Sequence, residues 1–169
     1  MATFCSTTIS SDLIERHISG AASWNPRDGV TRDRVIVDVA NLEAVALAAI
    51  RRFAESIRPA DQTSNIDAAM RAADLTDGTS LRRLAGLLFL LNLIDSNIHH
   101  DLRKLYELRT AYAHKASAGY LGTDTEMTKL LHDCNCYKAN RTALAVLDTQ
   151  GKVYRAIAAH LQAGLSGLA

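Results

Sequence analysis

The stretch LLFLLNLIDSNIHHDLRKLYELRTAYAH, residues 87–114, determines the fold more than any other part of the chain. Its Leu-rich first part belongs to a helix predicted over residues 80–93. Apolar residues surround most of the axis there, as expected for a helix enclosed by its neighbours. Polar residues at positions 95–97 end that helix. A longer helix is predicted over residues 97–116, because apolar residues recur every three or four positions. Two helices joined by a short turn predict a helical bundle.

Helical patterns continue on both sides of this pair. The apolar spacing predicts further helices over residues 12–18, 33–57, 64–73, 123–134 and 152–165. Two of them begin with patterns typical of a capping box, Ser64 with Asp67 and Thr123 with Glu126. Residues 143–147 fit either a helix or a short strand, and we favour the helix. The sequence therefore predicts an all-α fold, a bundle of five to seven helices.

Length and composition indicate a single domain. The chain has 169 residues, of which 48% are apolar and 22% are charged, close to the average for globular domains. Residues 1–30 are rich in Ser and Thr and contain one short helical pattern, so we expect a loosely attached N-terminal leader. Residues 31–169 are expected to form one helical domain.

Charge, cysteine content and apolar runs argue against several classes of protein. The chain has 19 Lys and Arg against 18 Asp and Glu, which argues against broad electrostatic binding to nucleic acid or anionic membrane but leaves a small local site open. The three cysteines do not indicate a disulfide framework, and the N-terminus lacks the pattern of a secretory signal. The longest apolar run, residues 84–94, is too short to cross a bilayer. We expect a cytoplasmic protein that does not enter a membrane.

The helix over residues 97–116 carries most of the side chains suited to chemistry. Residues seven apart lie almost in line on a helix, so His100, Glu107 and His114 share one face, which Lys104 and Thr110 flank. This face is either a solvated polar stripe or a binding site. His100 and His114 lie about 10 Å apart along the helix axis, too far to share a metal ion.

A second cluster, HDCNC at residues 132–136, contains three soft metal ligands. Structural zinc sites combine two spaced pairs of Cys or His, whereas the chain has one such group, and helical geometry would direct Cys134 and Cys136 apart. Packing at a helix end is therefore favoured over zinc binding. The sequence has no phosphate-binding glycine loop and no nucleophile elbow. We expect no metal and no cofactor.

The segment LRTAYAH, residues 108–114, contains Arg109 and His114 with four residues between them. This spacing resembles the Arg-x4-6-His motif of HEPN domains (higher eukaryotes and prokaryotes nucleotide-binding). The wider stretch resembles the mannitol operon repressor family, HEPN-like helical proteins in which an LGLI segment precedes a helix that contains IRNxFAH. The corresponding residues here are 91–94 and 108–114. The resemblance covers residues 80–116 well and the flanking helices in pattern only.

The resemblance implies an all-α fold, commonly dimeric, in which the motif helices of two chains line one cleft. It implies that Arg109 and His114 are the catalytic residues of a metal-independent endoribonuclease of the toxin or defence type. Histidine exchanges protons near neutral pH and arginine stabilises charge on a phosphate, so the pair suits RNA cleavage. Five residues correspond to about 140° of helix rotation, so the two side chains diverge. A two-fold axis beside the helix could gather them from both chains into one cleft, and we expect a homodimer.

Two positions of the motif differ from the family pattern. Thr110 stands where these families have Asn or another strongly polar residue, and it retains a hydroxyl but not the amide group. Tyr112 replaces Phe and either fills the core, which is favoured, or stacks on a base. Thr110 and Tyr112, together with His100, Lys104 and Glu107, are the predicted binding residues around the catalytic pair.

Two alternatives to RNA cleavage remain open at this point. In the first, Arg109 and His114 form a buried ionic or hydrogen-bonded pair that holds neighbouring helices together. In the second, the chain is a non-catalytic transcriptional regulator or protein-interaction module, as its likeness to the mannitol operon repressor implies. It would then bind a regulatory partner protein through its helical faces. No helix-turn-helix is recognisable, so direct reading of the DNA major groove is not predicted.

Overall fold

The computed structural model describes residues 2–19, 32–57, 66–114 and 121–169 of the chain, and most of these residues are helical. The helices of these segments are α1 (Ser11–Ser19), α2 (Arg32–Ser56), α3 (Ile66–Ala72), α4 (Leu81–Leu90), α5 (Ser96–His114), α6 (Thr125–Asp133), α7 (Asn135–Ala139), α8 (Arg141–Leu144) and α9 (Gln150–Ser166). The described segments contain no β-strand beyond two isolated bridges. None of their helices has the length and apolar character needed to span a membrane. The predicted all-α fold is confirmed, although the described residues already form nine helices rather than five to seven.

The core lies where α2, α4, α5 and α9 pack against one another. The buried stripe of α2 consists of the residues from which this helix is predicted, Val35, Val39, Leu42, Ala46 and Ile50. The prediction for α4 is wrong in one respect, because this helix is not enclosed on most sides. Phe89 and Leu90 remain exposed near its C-terminal end. The outer side of α4 is therefore a surface of the molecule.

The start of α6 corrects one of the predicted capping boxes. The helix begins at Thr125, and Asp124 is its N-cap. One carboxylate oxygen of Asp124 accepts hydrogen bonds from the backbone N–H groups of Glu126 and Met127, at 3.0 Å and 3.2 Å. Aspartate is a strong N-cap residue, and it replaces Thr123 in that role. The other predicted box depends on Ser64, which lies outside the described residues.

The structure differs from the prediction at two further places. The helix predicted over residues 123–134 ends one residue early, at Asp133, and a helix that was not predicted, α7, begins at Asn135. Residues 143–147 were expected to be helical throughout, but α8 ends at Leu144 and the chain continues in turns. Helices as short as α7 and α8 lack the repeated apolar spacing that predicts longer ones.

The N-terminal segment is fastened to the bundle by hydrogen bonds to residues far away in the sequence. The backbone N–H of Phe4 donates to the carbonyl oxygen of Leu93 at 2.8 Å. The side chain of Asn140 donates to the Thr7 carbonyl oxygen at 2.6 Å and accepts from the Ile9 N–H at 3.0 Å. These bonds hold the segment along the α4–α5 turn and the start of α8.

This attachment differs from the expectation that residues 1–30 form a loosely attached leader. Of that range, residues 2–19 are described, and Ile9 and Ile14 belong to the hydrophobic core. The remaining part lies outside the described residues. The Ser- and Thr-rich composition suggested weak packing, but two isoleucines and the bonds to Asn140 outweigh it.

A glycine in α9 provides a test of this attachment. A Cβ atom at Gly164 would overlap the ring of Phe4, whereas one at Gly86 of α4 would meet nothing within 4 Å. We expect Gly164→Ala to lower the free energy of unfolding by ~1–3 kcal/mol through overpacking. Gly86→Ala should raise it by ~0.5–1 kcal/mol, because alanine favours the helix. Urea denaturation monitored by circular dichroism measures both.

The double variant separates overpacking from other effects. In a Phe4→Ala background the ring is absent, so Gly164→Ala should become neutral or stabilising. If Gly164→Ala stabilises the protein even with Phe4 present, the N-terminal segment is not held as described.

Candidate functional site

α5 carries every side chain that the sequence predicts for the site. The helix begins after Asp95, whose Oδ1 accepts a hydrogen bond from the Ile98 backbone N–H at 2.9 Å and so caps it. Leu102, Leu105 and Leu108 are buried and fix the rotation of α5 in the bundle. The rest of its circumference is available to polar side chains.

The predicted catalytic pair, Arg109 and His114, makes no hydrogen bond or ion pair with any described residue. Arg109 is half-buried, and its Nε is buried without a hydrogen-bond partner. His114 is exposed at the C-terminal end of α5. Their separation corresponds to about 140° on an ideal helix, so they point to different sides. The described residues therefore do not form the buried pair considered as an alternative.

Thr110 forms a hydrogen bond within α5, and Tyr112 is buried in the core. Thr110 Oγ1 donates a hydrogen bond to the carbonyl oxygen of Tyr106, one turn earlier, at 2.9 Å. Tyr112 is fully buried, and this burial raises the pKa of its hydroxyl to about 12, with a further contribution from Asp124. Of the two roles expected for Tyr112, core filling is the one observed. Its ring is not available to stack on a base.

The other predicted binding residues, His100, Lys104 and Glu107, belong to a charge cluster that α5 shares with α6. Asp133 at the end of α6 is its centre. One carboxylate oxygen of Asp133 lies 3.1 Å from Lys104 Nζ and 3.8 Å from His100 Nε2. The other lies 2.8 Å from Lys138 Nζ, and Glu107 pairs with Lys104 at 3.1 Å. The polar side chains of the predicted stripe thus have ionic partners within the chain. The main partner is Asp133 of α6, which the spacing along α5 does not reveal.

The two lysines determine the electrostatics of this cluster. Hydrogen bonds from Lys138 and then Lys104 lower the pKa of Asp133 from its ordinary value of 3.8 to about 2. The same contact with Asp133 raises the pKa of Lys104. The Asp133 side chain is about half exposed, so solvent screens these pairs and their contribution to stability is small. The cluster orients α6 against α5 more than it stabilises the fold.

The lowered pKa of Asp133 can be tested by titration. We expect NMR of the Asp133 carboxyl group to give a midpoint near 2 in the wild type, and a higher midpoint, closer to 3.8, in Lys138→Met. Because the folded-state pKa is depressed, the stability from this group is complete above about pH 4 and is lost as the pH falls towards 2.

Lys129→Met is the matched control for this titration. Lys129 lies in the same region but is not bonded to Asp133, so its replacement should leave the midpoint nearly unchanged. Equal shifts in both variants would mean that the overall positive charge of this region lowers the pKa of Asp133, and not the specific bond from Lys138.

A cavity of about 460 Å³ opens beside the charge cluster. Its lining residues are Lys104, Glu126, Lys129, Leu130, His132 and Asp133. Two lysines and two carboxylates share this cavity, so its charges nearly cancel and favour neither an anion nor a cation. It is a groove of mixed polarity rather than a distinct ligand site.

The HDCNC segment forms the junction between α6 and α7. Cys134 and Cys136 are buried, and burial raises the pKa of both thiols, so neither is a reactive thiolate. His132 stacks on Tyr137 with ring centroids 4.2 Å apart, and its Nε2 lies 2.9 Å from Gln150 Oε1. Across the described parts of the chain, no three His, Cys, Asp or Glu side chains are grouped to hold a metal ion.

A second polar surface, which the sequence analysis missed, lies on the outer side of α4 and α5. Phe89 of α4 stacks on His99 of α5, with ring centroids 5.0 Å apart and an angle of 12° between the planes. Arg82 lies two turns before Phe89, and Arg103 and Tyr106 lie one and two turns after His99. These five residues define what we call the α4–α5 face. The apolar run of residues 84–94 does not reveal this face, because it predicts a helix enclosed by its neighbours.

The charge on α4 and α5 is less balanced than that of the whole chain. Their basic residues are Arg82, Arg83, Arg103, Lys104 and Arg109, against two acidic residues, Asp101 and Glu107. Both acidic side chains are engaged, because Asp101 is buried and accepts backbone hydrogen bonds, and Glu107 pairs with Lys104. Arg83 and Lys104 pair with Asp74 and Asp133 outside these helices, so the local excess of positive charge consists of Arg82, Arg103 and Arg109.

Comparison of the chain with protein-family models, with curated proteins and with solved structures finds no match. The all-α fold is established by the structure alone. Any function has to be argued from the residues of the site.

Proposed function

We propose that this chain is a cytoplasmic, homodimeric RNA-binding protein that cleaves RNA without a metal ion, with Arg109 and His114 as its catalytic residues. One observation carries the proposal. His100, Lys104, Glu107 and Asp101 on α5 all have polar partners, whereas Arg109 and His114 have none among the described residues. A half-buried arginine whose buried Nε has no partner among the described residues is costly to maintain, which favours a functional reason for it.

The dimer follows from the direction of the two side chains. Arg109 and His114 diverge by about 140° around α5, so one copy of the helix cannot direct both at the same phosphate. A two-fold axis beside the C-terminal half of α5 would bring Arg109 of one copy towards His114 of the other. The site would then be complete only in the dimer.

The chemistry needs two proton transfers and one stabilised charge. The ribose 2′-oxygen attacks the phosphorus while the bond from phosphorus to the 5′-oxygen breaks. The products are a 2′,3′-cyclic phosphate and a 5′-hydroxyl. His114 accepts the proton of the 2′-hydroxyl, and the departing 5′-oxygen takes a proton from solvent water. Arg109 stabilises the negative charge that grows on the phosphate oxygens.

The test is an RNA cleavage assay in the presence of EDTA, with light scattering to determine the oligomeric state. We expect a dimer that produces cyclic-phosphate and 5′-hydroxyl ends. A protein that neither binds nor cleaves RNA would overturn the proposal. The non-catalytic regulator or protein-interaction module would then be the function to test.

A further inference from the structure

The α4–α5 face presents aromatic rings and arginines on one continuous surface. The stacked pair of Phe89 and His99 fixes how α4 and α5 lie side by side. Residues 91–95 join the two helices through a short turn, so they run antiparallel. Residues that precede Phe89 therefore lie beside residues that follow His99.

The positions of the arginines follow from this register. Arg82 is seven residues before Phe89, about 10 Å along α4 and on nearly the same side. Arg103 is four residues after His99 on α5 and again on nearly the same side. Both arginines are exposed, and neither makes a hydrogen bond or ion pair with a described residue. Two arginines without a partner among the described residues thus lie together on one side of the aromatic pair.

The charges of the α4–α5 face complement a polyanion. α4 contains no acidic residue, and both acidic side chains of α5 are engaged elsewhere. Burial, and then the nearby Arg103 and His100, lower the pKa of His99, so its ring is uncharged near neutral pH. An uncharged imidazole stacked on an exposed phenyl ring offers a flat surface, which is what an unpaired nucleobase requires.

We infer that the α4–α5 face binds single-stranded RNA, in which unpaired bases stack on Phe89 and His99 and phosphates contact Arg82 and Arg103. The face leads towards the proposed catalytic histidine, because Tyr106 and His114 are eight residues, or about 12 Å, apart along α5. This inference rests on the proposed function, since it specifies how the RNA would be held. A duplex would bind poorly, because its base faces are already stacked within the helix.

The experiment compares two double variants by fluorescence anisotropy with a labelled single-stranded RNA oligonucleotide. Phe89→Ala/Arg103→Ala removes one aromatic ring and one charge from the α4–α5 face. Val146→Ala/Arg141→Ala removes an exposed apolar side chain and an exposed arginine from the region of α8. We expect the first to weaken binding at least tenfold and the second less than twofold. The same oligonucleotide in a duplex should bind the wild type at least tenfold more weakly.

Further measurements keep the inference separate from the proposed catalysis. His114→Ala should bind RNA as the wild type does. If the wild type binds RNA and the α4–α5 variant does not, but nothing is cleaved, the inference stands and the catalytic proposal fails. If the wild type cleaves RNA and the α4–α5 variant keeps its affinity and KM, the inference fails and the catalytic proposal stands.

Three other outcomes would overturn the inference. One is equal loss of affinity in both double variants, and another is equal affinity for duplex and single strand. The third is a wild type that does not bind RNA, while the α4–α5 variant loses self-association by light scattering. The face would then belong to a contact with a second copy. Because Phe89 and Arg103 are exposed, we expect both variants to fold, and Arg103→Ala alone provides a second, milder test.

Discussion

His114→Ala should lower the rate of RNA cleavage by about 10²–10⁴-fold, the range typical for loss of a positioned general acid or base. His114 is exposed at the end of α5, so its replacement should leave the fold intact. The loss should fall on kcat rather than on RNA affinity, because the imidazole acts on protons that move in the reaction. Single-turnover cleavage of a labelled RNA oligonucleotide measures it.

His17→Ala is the control, because it removes a histidine from α1 that bonds the carbonyl oxygen of Leu13 within its own helix. Its cleavage rate should stay within about twofold of the wild type. If His114→Ala cuts as fast as the wild type, His114 is not a catalytic residue and the proposed chemistry is rejected.

Subunit mixing tests the site at the level of the dimer. Arg109→Ala and His114→Ala should each be nearly inactive alone. After subunit exchange, about half of the dimers are mixed, and each of these retains one Arg109 and one His114 on different chains. Activity should therefore return on mixing. If both variants stay inactive after exchange has been verified, the two residues do not act across a two-fold axis.

The long helices could be predicted from the sequence because their buried stripes are local patterns. α2 and α9 bury apolar residues at every third or fourth position. The helix predicted over residues 97–116 begins one residue earlier in the structure, at Ser96. The attachment of the N-terminal segment could not be predicted in this way. It depends on Asn140, which is more than 130 residues from Thr7 and Ile9. Periodicity contains no information about such a contact.

The candidate site could likewise be predicted only where its residues lie close together in the sequence. The resemblance to the HEPN motif singled out Arg109 and His114, and helical spacing placed His100 and Glu107 on one face of α5 with Lys104 beside it. Spacing could not show that Asp133 of another helix engages two of these residues. The α4–α5 face was missed for a related reason, because the run of apolar residues in α4 does not reveal which of them lack a neighbour.

Asp101 of α5 holds the start of α7 in position. It is fully buried, and its two carboxylate oxygens accept hydrogen bonds from the backbone N–H groups of Asn135 and Cys136. The bond to Cys136 is 2.8 Å long. These N–H groups begin α7, so a side chain of α5 caps another helix and holds the α6–α7 junction in place.

Asp101→Ala should lower the free energy of unfolding by ~3 kcal/mol or more, because two hydrogen bonds to a charged acceptor are lost and two N–H groups are left unpaired. Asp101→Asn should cost less, since its amide oxygen can still accept one of the two bonds. Glu107→Gln is the control on the same helix, and losing its partly exposed pair with Lys104 should cost less than ~1 kcal/mol. Urea denaturation gives these values. Hydrogen exchange should show faster exchange at Asn135 and Cys136 in Asp101→Ala than in Glu107→Gln. If Asp101→Ala costs no more than the control, the bonds to α7 do not hold the junction, and Asp133 must be positioned by its lysine contacts alone.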